Sequence, residues 1–251
     1  MKQLRLLLLC ICCFVSALAQ TKKPFKVLAL YENGGHHLAY SKRAVQWLNK
    51  LAAENNFTID YLQRADSINE QLLSRYQLFI QLDYPPYSWG KQAEAAFEKY
   101  ISSGKGGWIG FHHATLLGEF DGYGLWEWFY HFMGSIRFAN YIATFASGKV
   151  NVEDTVHPCM KNVPASFLIP KEEWYTYDKS PRANVHVLAS VDENSYSPDT
   201  KIKMGDHPVI WTNEQYKSRN VYIFMGHDPG LFDNQAYTQL FKNAIFWASG
   251  K

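Results

Sequence analysis

Between residues 25 and 111, short apolar runs alternate with helical stripes without a break, and few folds accommodate that order. Phe25 to Tyr31 (FKVLALY), Phe57 to Leu62, Leu78 to Leu82 and Gly107 to Phe111 read as strands. Between the first two, Ala44, Trp47, Leu48, Leu51 and Ala52 recur at the spacing of one helix face. Ser67 to Arg75 reads as a short helix with Ser67 as N-cap and Glu70 at the capping-box distance. Lys91 to Ser102 places Ala93, Ala96, Phe97, Tyr100 and Ile101 on one face, and Gly104 follows near its end. A β-α-β-α-β-α-β order implies a parallel sheet with crossover helices, hence an α/β fold.

After Thr115 the alternation stops. Residues 116–134 are rich in glycine and aromatics and predict a loop, then a short helix over 126–132. Residues 143–153, 173–177, 185–191, 208–213 and 221–224 predict further strands, some extending the sheet and others forming an antiparallel lobe. Gln235 to Ala248 closes the chain with a helical stripe of Tyr237, Leu240, Phe241, Ala244, Ile245 and Ala248, with Gly250 as its stop. No repeat, low-complexity tract or linker interrupts this pattern, so one domain over residues 20–251 is expected.

The first nineteen residues have the layout of a cleaved export signal. Lys2 and Arg5 precede an apolar run from Leu6 to Val15, and Ala17-Leu18-Ala19 fits a small-x-small cleavage site. That run is too short for a comfortable membrane span, and no other long apolar run follows, so no span is expected in the mature chain. Cys10, Cys12 and Cys13 lack the small residues that precede a lipidated cysteine. A periplasmic or secreted protein is therefore expected. Cleavage removes Lys2 and Arg5 and no acid, taking the formal charge from +2 to 0. A neutral chain disfavours nucleic acid or an anionic membrane as partner. Only Cys159 remains after cleavage, so no internal disulfide forms, and packing must supply the stability.

Histidines follow predicted strands repeatedly: His36 and His37 after the first, His112 and His113 after the fourth, and His227 after Val221 to Phe224. Carboxyl ends of parallel strands share one rim, where α/β proteins bind ligands. Converging imidazoles support two chemistries. With a carboxylate they bind a divalent metal ion, which polarises a carbonyl or activates water; here His37, His112 and His227 are the candidates. Without a metal, a histidine and a carboxylate act as general base and acid. Neither H-E-x-x-H nor a Cys/His zinc spacing occurs, so a metal rests on convergence in space. Among the carboxylates Glu32, Glu119, Glu172, Glu173, Asp206, Glu214 and Asp228, Glu173 stands in the segment Glu173-Trp174-Tyr175 and Asp228 follows His227 directly. Glu119 and Glu214 read as solvated surface. No G-x-S-x-G occurs, and Cys159 reads as inert.

Gly107-Trp108-Ile109-Gly110-Phe111-His112-His113-Ala114, His157-Pro158, Glu172-Glu173-Trp174-Tyr175, His207-Pro208-Val209-Ile210-Trp211 and Gly226-His227-Asp228-Pro229, in that order before a helix ending in Trp247-Ala248, resemble the ThuA-like (trehalose utilisation) family. The resemblance spans the mature chain. It implies a flavodoxin-like sandwich of the class I glutamine amidotransferase type, with a mainly parallel sheet, helices on both faces and extra antiparallel strands. Amidotransferases of that class carry a nucleophilic cysteine in G-x-C-x-G at the elbow. Here His112 stands in its place, so glutaminase activity is not expected. His227 matches the amidotransferase histidine that ends a late strand.

The resemblance further implies carbohydrate metabolism, with a small-molecule sugar as partner: a disaccharide such as trehalose, or its 3-keto derivative. On this reading His112, His113, Glu173, His227 and Asp228 are the expected catalytic residues, and His37, Trp174, Tyr175 and Trp211 the expected substrate contacts. The reaction types that fit are isomerisation, epimerisation, elimination or hydrolysis of the sugar. The alternative expectation is a non-catalytic sugar-binding protein that uses the same rim.

Overall fold

The computed structural model describes residues 24–251; the expected export signal lies outside the described residues. The elements are β1 (Phe25–Tyr31), α1 (Leu38–Asn55), β2 (Phe57–Leu62), α2 (Glu70–Leu73), β3 (Leu78–Leu82), α3 (Lys91–Ser102), β4 (Gly107–Phe111), α4 (Glu127–Phe132), β5 (Phe138–Tyr141), β6 (Ala146–Val152), β7 (Ser166–Glu172), β8 (Tyr175–Tyr177), β9 (His186–Ser197), β10 (Pro208–Thr212), β11 (Asn220–Ile223) and α5 (Gln235–Ala248). Nine strands form one sheet in the order β2-β1-β3-β4-β11-β10-β9-β6-β7. The first five run parallel, and β10, β9, β6 and β7 continue the sheet antiparallel. A separate ribbon pairs β5 with β8.

Strands β3 and β4 are buried along their whole length, as expected where helices cover both faces of a sheet. Alternation along β4 assigns the faces. Phe111 packs on Phe241 of α5 at 4.6 Å between ring centroids, while Trp108, three residues earlier, meets Phe132 of α4 at 5.0 Å and Phe97 of α3 at 6.5 Å. Helices α1 and α5 share the first face through Trp47 and Phe241, whose centroids are 4.9 Å apart.

Three expectations need correction. The short helix after β2 does not begin at Ser67: residues 65–67 form a separate 3-10 turn, and α2 is capped by Asn69, whose side chain accepts the Leu72 N–H at 2.9 Å. An amide at N-cap satisfies an orphan helix donor, and here it outcompetes the serine. Strands β5 and β7 were not expected. Strand β7 carries Pro170, which normally argues against a strand; it is tolerated because β7 is the sheet edge, where one side needs no donor. Strand β9 runs to Ser197, well past the expected end at residue 191.

Candidate active site

The parallel strands β1, β3, β4 and β11 end at one rim, and each end delivers a polar side chain to it. Glu32 follows β1, and a 3-10 turn over Gly35–His37 then carries His37 into α1. Asp83 follows β3, His112 and His113 follow β4, and Gly226-His227 follows β11. Glu172, the last residue of β7, and Glu173, just after it, arrive from the antiparallel half of the sheet.

His112 sits at a sharp strand-to-helix turn with φ 35°, a left-handed conformation costing a non-glycine residue about 1–2 kcal/mol. Its carbonyl accepts hydrogen bonds from the Thr115 hydroxyl (2.9 Å) and the Tyr222 hydroxyl (3.0 Å), which hold the turn. Gly226 lets the β11 end approach this elbow. A Cβ there would lie 2.8 Å from the Cβ of His112 and 2.6 Å from Oδ1 of Asp83.

The imidazoles converge. Ring centroids of His37 lie 4.0 Å from His113, 4.3 Å from His227 and 5.2 Å from His112. Glu173 Oε2 is 3.5 Å from His112 Nε2 and 4.0 Å from His227 Nε2. Glu32 Oε2 is 3.4 Å from His113 Nδ1 and 3.6 Å from His37 Nδ1. These separations exceed hydrogen-bond length. Consequently both ring nitrogens of His37, both of His112, and Oε2 of Glu32 are buried with no hydrogen-bond partner. Two sets bring their ligand atoms within 4.8 Å of one another: His37, His112 and His113; and His37, Glu173 and His227.

Burial keeps three of these rings neutral. Burial depresses His37, drives His112 well below the usual histidine value with help from His113, His37 and His227, and brings His227 down to about 3. A neutral imidazole is a metal ligand or a base. Burial opposes ionisation of Glu32, but the proximity of His113 and His37 outweighs it and holds the carboxyl at about 2. Beneath the rings the acids behave oppositely. Burial pushes Glu172 up to about 8 although the N–H groups of Glu173, His227 and Gly226 pull against it. Burial, then the charge of Glu172, raises Asp83 well above the carboxylate range. Glu172 Oε2 accepts the Gly226 N–H at 3.0 Å and the His227 N–H at 3.3 Å, fixing the turn that presents His227.

The cluster opens into a cleft of about 560 Å³, whose walls include His37, His113, Glu173, Tyr175, His227 and Phe138. That volume is typical of small-molecule sites. His113 is the clearest base. Its Nδ1 lies 3.0 Å from the Asp83 carbonyl, an acceptor that fixes the proton on Nδ1 and leaves Nε2 with a free lone pair. His112 is fully buried behind the cleft wall, so it backs the site rather than facing the cleft.

Four expected residues change place. Trp174 is fully buried, its indole donating to the Ala146 carbonyl (2.9 Å) and stacking on Phe224 (5.3 Å). Trp211 is buried against Tyr222 at 4.4 Å. Both are core residues, not open sugar platforms; a run of aromatics beside a glutamate does not reveal which ring faces inward. Asp228 Oδ1 accepts the Gly230 N–H and Oδ2 pairs with Lys171 at 3.0 Å, so it caps a turn outside the cluster. Among the metal candidates, His112 does not group with His227; Glu173 takes its place beside His37 and His227. Tyr175 does line the cleft, 4.3 Å from His112. Sequence reasoning missed Asp83 and Phe138 and did not place Glu32 or Glu172 in the site. Glu32 and Asp83 each follow a strand directly, the same signal that singled out the histidines. Cys159 is buried, and burial pushes its thiol far up.

Residues 26–248 match the model of a family described as trehalose utilisation, ThuA. A ThuA-like protein from Bacteroides uniformis is 32% identical, with a TM-score of 0.80, over 90% of this chain and 92% of its own. Another from Parabacteroides merdae is 18% identical, with a TM-score of 0.66, over 91% of both chains. The glutaminase domain of Trypanosoma brucei CTPS, solved with bound acivicin, shares the fold at a TM-score of 0.51 and 10% identity, over 87% of this chain and 93% of that one. Among curated proteins none matches the chain.

Proposed function

We propose, from the premise that this chain belongs to the trehalose utilisation (ThuA) family and so serves carbohydrate metabolism, that its strand-end cluster is a metal-assisted proton-transfer site for a keto-sugar. One observation carries the reading: buried imidazoles and two glutamates converge on a cleft, and both ring nitrogens of His37 and Oε2 of Glu32 there have no hydrogen-bond partner. A purely structural histidine would spend those nitrogens on hydrogen bonds. His37, His227 and Glu173 are the ligand set, a mixed nitrogen and oxygen group suited to a divalent transition metal. Such an ion would polarise a ketone oxygen and stabilise an enediolate.

The chain's own residues do the rest. Nε2 of His113 accepts the proton from the carbon beside the ketone, and the released electron pair forms the enediolate. Return of the proton to the neighbouring carbon isomerises the sugar, return to the other face epimerises it, and loss of a β-substituent eliminates it. Glu32 Oε2 stands 3.4 Å from His113 Nδ1, a carboxylate beside the ring that takes up the proton. Glu173 acts as an ionised ligand, and solvent exchanges the proton between the enediolate oxygens. Glutamine hydrolysis lies outside the reading, because an imidazole stands at the elbow where a thiolate would attack. The apolar leader over residues 1–19 makes the cell envelope or its exterior the compartment we propose.

The test measures metal content of the purified protein, then turnover of 3-keto-trehalose with and without chelator. Bound metal, chelator-sensitive turnover and a loss of about 10²–10⁴ in kcat for His113→Ala, at unchanged melting temperature, are expected. Sugar binding without turnover of keto-sugars under any metal condition would replace this reading with a non-catalytic binding protein.

A further inference from the structure

Glu32 lines a second cleft besides that of the histidines. This one encloses about 510 Å³, and its walls include Asn33 after β1, Gln63 and Arg64 after β2, and Tyr84 and Tyr87 after β3. The sheet order β2-β1-β3 makes the gap between β1 and β3 the point where successive crossovers leave in opposite directions. Open α/β sheets bind ligands in that crevice, beyond the carboxyl ends of the strands. The two clefts share Glu32, and an aromatic wall joins them: Tyr87 meets Phe120 at 5.2 Å, Phe120 meets Phe138 at 6.1 Å, and Phe138 lines the histidine cleft.

The chemistry of this second cleft suits an uncharged polyol. Gln63 is held ready: its Oε1 accepts from Asn33 Nδ2 at 3.0 Å, and its Nε2 donates to the Tyr31 hydroxyl. The one guanidinium on the wall is already balanced, with Arg64 Nε donating to Asp66 Oδ2 at 2.8 Å, so an anion gains little there. Amides with fixed orientation read hydroxyl groups, and the ring of Tyr87 offers a flat surface for the C–H face of a pyranose. We propose that this cleft is a second glycosyl subsite, taking one unit of a neutral disaccharide while the other unit lies against His37, His113 and His227. The inference rests on the carbohydrate reading of the histidine site, but not on its catalytic chemistry.

Calorimetric titration of the purified protein with trehalose and with glucose tests it. The disaccharide should bind about tenfold more tightly, as two or so added hydrogen bonds and one stacked ring allow. In Gln63→Ala that ratio should fall towards one, and Tyr87→Ala should act in the same direction. Gln63 is exposed, so its substitution leaves packing intact and its result decides the matter. An unchanged ratio in Gln63→Ala, equal binding of the two sugars by the unaltered protein, or no binding of trehalose overturns the subsite. Failure of the catalytic reading looks different: trehalose is preferred, Gln63→Ala abolishes the preference, and 3-keto-trehalose is not turned over.

Discussion

Substituting Gly226→Ala probes how the site is held together. The new Cβ would stand 2.6 Å from Asp83 Oδ1 and 2.8 Å from His112 Cβ. The first atom ends a short side chain, but that side chain is fully buried; the second belongs to a turn pinned through its carbonyl by Thr115 and Tyr222. Neither neighbour yields freely, so β11 and the His112 elbow must separate. The backbone conformation of Gly226 is one that alanine adopts, so the effect is steric. Overpacking of this kind costs about 1–3 kcal/mol, which lowers the melting temperature of a chain this size by roughly 2–4 °C per kcal/mol. Separation also displaces His227, whose N–H is held by Glu172, and weakens metal binding. Urea unfolding gives the stability change, and titration with Zn²⁺ gives the affinity change. The double variant Gly226→Ala with Asp83→Ala removes the nearer contact and should recover part of the loss, giving a non-additive cycle. A variant as stable as the parent, with unaltered metal affinity, would refute the idea that close approach at Gly226 builds the site.

The remaining predictions concern protonation, metal and core. Stability of the metal-free protein should fall as pH drops from about 6.5 towards 3: His227 is held near 3 when folded, so the unfolded chain binds the extra proton. Glu172 acts in the opposite sense. Its folded pKa of about 8 lies above the unfolded value of 4.5, so its contribution is present at low pH and is lost as pH rises between those values. Glu172→Gln should flatten the decline on that limb in urea titrations at several pH values; an unchanged limb would mean the carboxyl ionises freely. Added Zn²⁺ should raise the melting temperature of the chelator-treated protein, and His37→Ala or His227→Ala should remove that rise; an equal rise in both variants would place the ion elsewhere. Trp174→Ala should cost about 3–5 kcal/mol in unfolding experiments, as a core residue does. Weakened sugar affinity with no loss of stability would instead return Trp174 to the binding surface.

How far the sequence reached can be seen element by element. Strands β1, β3 and β4 carry short apolar runs because both their faces are largely buried, the edge strand β2 alternates because one face is not, and α1, α3 and α5 carry one apolar stripe because only one face is buried. Burial demands are local there, so composition and period alone identify those elements. Strand β7 escaped because its proline is acceptable only at an edge, and being an edge is a property of the assembled sheet. The same division runs through the site. That histidines follow strands is written in the chain, and parallel strands must end on one side, so convergence of His37, His113 and His227 follows from topology. Which glutamate joins them does not. Glu173 arrives from the antiparallel half, and only the packing of β7 and β8 against the rim brings its carboxylate within 4.0 Å of His227. Likewise Trp174 and Tyr175 are neighbours in sequence, yet one stacks in the core on Phe224 and the other lines the cleft, because successive residues of an extended chain point to opposite sides. The sequence by itself determined the parallel half of the sheet, its rim and the imidazoles on it. Tertiary structure decided which side chains face the cleft and which carboxyls stay neutral, since facing and desolvation depend on atoms distant along the chain.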